Sequence, residues 1–186
     1  MSNFSDIEKL AKGEKIPLSG GLRLSIAPLG VIYSRNLTPD RETGIGQYSD
    51  AQIARMMRWA VRPNGRATIE PMMPFGNMAD EDLNAIISYL RSQPPVKNPV
   101  PANEWTLLGK VVRTFADIMK PRKAINPVPA SPAPGTRERG EYLARYVSNC
   151  VGCHTQRDDT FVATGVEFAG GWDMEPDPNP GADTNI

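Results

Sequence analysis

The chain has 186 residues, with 21 basic and 21 acidic side chains. That is enough for one ordinary domain or two small ones, and the charge balance points to neither a nucleic acid nor a membrane surface as partner. Hydrophobic residues make up 40% of the chain, which suits a packed core, but no run approaches the roughly 18 apolar residues that a membrane span requires. The opening MSNFSDIEKLAKGEK also lacks the apolar centre of a secretory signal.

Residues 1–48 are glycine-rich and read as irregular, ending in the loop NLTPDRETGIG at 36–46. Asn36-Leu37-Thr38 fits the glycosylation acceptor pattern but reads as part of that loop. A helix follows. Ser49 and Gln52 form a capping box, and Ile53, Met56, Met57 and Ala60 fall at helical spacing until Pro63-Asn64-Gly65 stops them. Met56 and Met57 are assigned to packing. Next comes the loop Ile69-Glu70-Pro71-Met72-Met73-Pro74-Phe75-Gly76. A second helix is predicted over 80–92, with Leu83, Ile86, Ile87 and Leu90 on one face. Its cap is weak, because Ala79 stands where a serine would be expected. Pro94-Pro95 ends it.

Residues 94–135 hold nine of the chain's 18 prolines and read as a connector. It contains a moderately apolar helical piece at 105–119 and the extended spacer INPVPASPAPG. From Thr136 a short amphipathic helix, with Tyr142, Leu143, Tyr146 and Val147 on its stripe, is predicted to deliver Cys150 at its end. Arg62 and Arg66 could meet an anionic group but read as solvated surface charges.

Both cysteines and the single histidine lie within five positions, Cys150-Val151-Gly152-Cys153-His154. Two thiols three positions apart can add to the two vinyl groups of one porphyrin, and the adjacent imidazole can then ligate the iron. This spacing makes haem c the expected cofactor, held by Cys150, Cys153 and His154. A structural zinc site would need a fourth ligand from elsewhere. A redox dithiol would need a βαβ setting that the flanks do not suggest, and a plain disulfide would leave His154 unexplained.

The stretch from NLTPDRETGIG through MMPF to ADEDLNAIISYLRSQPPV resembles the later part of a class I cytochrome c domain. The segment RGEYLARYVSNCVGCHTQRD followed by FAGG resembles the opening of the next such domain. The match is to the multihaem cytochrome c subunits of membrane-bound alcohol, aldehyde and gluconate dehydrogenases. The resemblance implies an all-α fold of small haem-centred domains with long loops. It divides the chain into 1–95, the C-terminal part of one domain without its attachment motif; 96–135, the proline-rich connector; and 136–186, the N-terminal part of a second domain.

It further implies His154 as proximal ligand of the haem on Cys150 and Cys153. Met73 becomes the distal thioether ligand of a different haem, with Met72 or Met78 as alternatives. Only 32 residues follow His154 in a chain of 186, fewer than a distal loop and closing helix need. The pattern therefore reads as an interior stretch of a longer cytochrome. The alternative is a permuted arrangement in which the two halves share one site.

The implied function is electron transfer from a dehydrogenase donor to a respiratory acceptor, in the periplasm or at the outer face of the cytoplasmic membrane. That makes the chain an electron-transfer subunit rather than a catalyst. Rivals are a dihaem cytochrome c peroxidase and a structural metal module around Cys150 and Cys153.

Overall fold

The structure, a computed structural model, describes residues 9, 11–26, 28–68, 75–115, 120–121, 129–158 and 162–171. The loop residues 69–74, which include Met72 and Met73, lie outside the described residues, as do 116–119, 122–128 and 172–186.

Helix α1 spans Asp50–Trp59 and begins with the expected capping box. The Ser49 N–H donates to Gln52 Oε1 at 2.9 Å, and the Gln52 N–H donates to Ser49 Oγ at 3.3 Å. Two N–H groups that a helix start would leave orphaned are thus satisfied. The helix ends earlier than the Pro63-Asn64-Gly65 signal suggests. Ala60 turns left-handed (φ 56°) and its N–H closes on Met56 O. The chain then doubles back, with Thr68 N–H on Ala60 O and Val61 bridged to Ala67. Pro63-Asn64-Gly65 is the tip of this return.

Helix α2 spans Asp80–Ser92. Leu83, Ile87 and Leu90 on its inner face join Ile45, Ile53 and Met78 in one buried cluster. Burying each such side chain contributes about 1.5–3 kcal/mol. Arg91 straps the far end of α2 to the start of α1, donating to the carbonyls of Ile45 and Tyr48 and to Asp50.

The N-terminus of α2 is held from outside. Ala79 offers no side-chain cap, so the Tyr142 hydroxyl does the work. It accepts the Ala79 N–H at 2.9 Å and donates to Asp82 Oδ2 at 2.7 Å. Asp82 sits three positions after the cap, where a capping box would place its acid; here a tyrosine bridges the two ends. Arg139 adds a forked contact to both Asp82 oxygens at 3.1 and 3.3 Å, and Ser131 donates from its hydroxyl to Asp82 and from its N–H to Glu81. From the other side, buried Arg58 of α1 reaches Asp80 and the carbonyls of Gly76 and Met78.

The expectation of an all-α fold holds only in part, because a small sheet accompanies the helices. Strands β1 (Arg23–Ile26), β2 (Gly30–Tyr33) and β3 (Glu104–Trp105) form an antiparallel sheet in that order. Leu24, Ile26 and Trp105 pack on buried Ile32, a period-2 pattern that the surrounding glycines obscure. Gly30 has φ +151°, and a Cβ there would meet Glu104 O at 2.2 Å, so only glycine lets β3 approach β2. Part of the stretch read as connector is therefore built into the fold, and the predicted helix at 105–119 appears as α3, Leu107–Phe115. The acceptor-like Asn36 is only 3% exposed. Its carboxamide donates to Val96 O and Thr43 Oγ1 and accepts from the N–H and hydroxyl of Thr38, pinning the 36–46 loop.

The arm that leads to the cysteines starts with helix α4, Arg137–Tyr142, capped by the Thr136 hydroxyl on Arg139 N–H. It continues as a π segment, Leu143–Val147, closed by Ser148 N–H on Leu143 O at 2.8 Å. The helix does not run on to Cys150 as predicted. Asn149 adopts φ 53°, and a new turn, α5, covers Cys150–Cys153. Before that break, Val147 packs on the Ile45–Leu90 cluster, and the 3₁₀ turn Phe75–Asn77 lies against the π segment.

Removing the Tyr142 hydroxyl orphans the buried Ala79 N–H, so Tyr142→Phe should lower the unfolding free energy by about 1–3 kcal/mol, measured by urea denaturation followed by circular dichroism. The same node predicts a pH signature. Burial pushes the Asp82 carboxyl up, but hydrogen bonds from Tyr142, Ser131 and Arg139 outweigh it and hold the group below the usual carboxylate range. Burial first, then the hydrogen bond to Asp82, raises the Tyr142 phenol to about 12. The stability from Asp82 is present above its unfolded value near roughly 4 and is lost as pH falls below it. That from Tyr142 is complete below its unfolded value near roughly 10 and is lost as pH rises through about 12. An Asp82→Asn/Tyr142→Phe chain should show a flatter stability profile than the parent in both windows.

Candidate functional site

The chemistry-bearing residues sit on α5 and the position after it. Cys150, Cys153 and His154 stand at i, i+3 and i+4, which places all three on one side of a helical turn. His154 N–H closes the turn on Cys150 O at 2.9 Å. Both thiols are free and exposed, and the imidazole is exposed as well. Gly152 is buried beneath the Asn149 carboxamide, and a Cβ at 152 would lie 2.3 Å from Asn149 Nδ2. The middle of the motif is thus pressed against the backbone break that precedes it.

The residues after the motif fold back and hold it. Gly170 N–H donates to His154 O at 2.8 Å, and Phe168 N–H to Thr155 Oγ1 at 3.2 Å. Thr155 is 1% exposed. Arg157 Nε donates to Gly152 O, while Arg145 of the π segment pairs with Glu167 at 2.7 Å and with Glu141 at 3.0 Å. The backbone of His154 is therefore fixed from both sides while its ring stays outside.

This donor set fits a covalently tethered porphyrin better than its rivals. Two free thiols share a face with one imidazole, and Cys150 and Cys153 form no disulfide. Among the described residues, no group of three or more His, Cys, Asp and Glu side chains is arranged to hold a metal ion directly. The zinc reading finds no fourth ligand among the described residues.

The other residues singled out in the sequence fare differently. Met73 lies outside the described residues. Met78 is fully enclosed in the core cluster, and Met57 packs at its edge, so the thioether of Met78 is spent on packing. Arg66 is exposed, as expected, but Arg62 is not a solvated charge. It is half-buried, and its Nε has no hydrogen-bond partner. Burial, then the nearby Arg35, Arg113 and Arg66, hold its guanidinium below the usual arginine range. Sequence reasoning also missed what Tyr142 and Asp82 do. Tyr142 registers there only as a member of an apolar stripe, and a hydroxyl that bridges two segments sixty residues apart leaves no periodic trace.

No established family profile matches the chain. It is, however, similar to individual proteins over most of its length. The cytochrome c subunit of a quinone-dependent alcohol dehydrogenase from Gluconacetobacter polyoxogenes is 35% identical over 84% of this chain and 34% of its own. The gluconate 2-dehydrogenase cytochrome c subunit of Pantoea cypripedii is 33% identical, over 84% of this chain and 36% of its own. A dihaem cytochrome c of Cereibacter sphaeroides is 28% identical, over 91% and 56%. The chain thus spans about a third of the length of the dehydrogenase subunits it matches. These relatives, together with the Cys150–His154 geometry, imply covalently bound haem c. Over most of its length the chain is a homologue of the cytochrome c subunits of alcohol, gluconate and fructose dehydrogenases and of a dihaem cytochrome c.

Proposed function

We propose that this chain carries electrons through a haem c attached at Cys150 and Cys153, taking them from a dehydrogenase and passing them to a respiratory acceptor. The observation that carries the reading is the placement of both thiols and the His154 ring, free and exposed, on one side of a single turn. When bound, haem supplies one-electron exchange at its iron. The protein's part is to tether and orient. The thiols of Cys150 and Cys153 would hold the macrocycle, and His154, its backbone clamped, would offer its imidazole to the iron.

The relatives' roles as dehydrogenase subunits support the choice of donor; the acceptor rests on resemblance alone. Thioether attachment outside the cytoplasm supports a periplasmic or membrane-facing location. No helix among the described residues is long and apolar enough to cross a membrane. The peroxidase alternative is not favoured, since the relatives are named as cytochrome c subunits of dehydrogenases and as a dihaem cytochrome c. Met73 is proposed as a thioether ligand, assigned by the sequence pattern to a haem other than the one on Cys150 and Cys153.

Replacing Cys150 and Cys153 together by alanine should abolish haem staining of the protein on a denaturing gel; unchanged staining would exclude the motif as the attachment point. In a longer protein that also carries the attachment motif of that other haem, Met73→Ala should remove a methionine–iron charge-transfer band from the red end of the oxidised spectrum. Persistence of every such band would exclude Met73.

A further inference from the structure

The turn that carries Cys150, Cys153 and His154 is too short to hold its own geometry. Helix α5 has four residues, set between a left-handed Asn149 and His154, and a single turn gains little from helical cooperativity. The direction in which the His154 side chain leaves the chain follows from the backbone on both sides of it. On one side His154 N–H closes on Cys150 O. On the other, Gly170 N–H reaches His154 O at 2.8 Å, where Gly170 is bridged to Thr155. That second contact comes from a loop, so the loop must itself be held.

It is held at Glu167 and Phe168. Phe168 has φ 63°, a conformation that a bulky side chain adopts only where its surroundings enforce it. Two contacts do so. Its N–H donates to Oγ1 of buried Thr155 at 3.2 Å, and the Arg145 guanidinium lies over its ring, 5.4 Å from the centroid. Arg145 also pairs with Glu167 at 2.7 Å and, one turn back along the arm, with Glu141 at 3.0 Å. A lone exposed ion pair would hold little. The Arg145 side chain, however, is only 25% exposed and engages two carboxylates and a ring together. Arm and loop thus share one cation, and its partners are neither the thiols nor the His154 ring.

We propose that Arg145 is a positioning residue for the proximal ligand: it latches the 167–171 loop to the arm, and that loop, through Gly170, sets the bearing of the His154 imidazole. The proposal rests on the haem attachment proposed above. In this role Arg145 acts through Glu167, Phe168 and Gly170 rather than by contact with the haem.

The test uses the full chain, loaded with haem by a maturation system. His154 is the one histidine of the sequence, so labelled histidine reports on the proximal imidazole alone, and ferric iron makes its magnetic resonance signals depend on ring orientation. In Arg145→Met the Gly170 amide should exchange with solvent roughly tenfold faster, and the His154 ring signals should move and broaden. Glu167→Gln should act in the same direction, and Arg145→Lys should restore most of the parent behaviour. Tyr142→Phe, which weakens the other end of the arm, should lower stability yet leave both readings at their parent values. Unchanged Gly170 exchange in Arg145→Met and Glu167→Gln would show that Arg145 does not hold the loop. Faster exchange with unmoved His154 signals would show that the loop does not set the imidazole. His154 signals that move as far in Tyr142→Phe would reduce the effect to general loosening. Each of these outcomes overturns the proposal. A parent chain that attaches no haem would instead overturn the proposed function, and Gly170 exchange would still report on the latch.

Discussion

The constraint on which the structure depends is the unsatisfied N-terminus of α2. A helix that starts Ala79-Asp80-Glu81-Asp82 has three acids in its first turn and no capping side chain of its own. The acids suit the positive end of the helix dipole, but the cap must come from elsewhere. Arg58 reaches it from α1, and Ser131, Arg139 and Tyr142 reach it from the arm. A local deficiency thereby becomes a long-range tie. Because buried N–H groups are costly to leave unpaired, the tie is directional in a way that apolar contact between the same elements is not.

The sheet lobe uses another device to the same end. Buried Asn36 and Thr38 knit the 36–46 loop to Val96, and Asn98 and Asn103 hold the chain that follows α2 against the start of the sequence. Loops that lack regular structure are thus fixed by side-chain amides and hydroxyls acting as backbone partners. Burial first, and then the charges of Arg35 and Arg113 of this lobe, hold the Arg62 guanidinium below the usual arginine range.

What could be read from the sequence follows from the range of the interactions involved. The start of α1 and the span of α2 are written in local patterns, Ser49 with Gln52 and the Leu83–Leu90 stripe, and both appear where expected. The attachment motif is more local still, five residues whose chemistry is set by identity and spacing. The strands were obscured because β2 pairs with β1 through a hairpin inside a glycine-rich stretch, and with β3 some seventy residues away. The break at Asn149 was hidden because the apolar spacing of Tyr142, Tyr146 and Cys150 looks continuous in one dimension, whereas the backbone accommodates it with a π segment and a left-handed residue. Tyr142 shows the limit most plainly, since its role exists only once residues 79 and 82 are beside it.

The π segment makes the length of the arm a structural quantity. In an α-helix each residue turns the chain by about 100°, so positions five apart, such as Tyr142 and Val147, would point well away from each other. Closing the turn on the fifth residue brings both back to the same side, one onto the cap of α2 and the other into the core. The spacing between anchor and thiols is therefore a gearing: one residue inserted or deleted between Leu143 and Val147 would swing Cys150, Cys153 and His154 around the arm by about 100°. Point substitutions there would leave the bearing of the attachment turn intact, while changes in length would not.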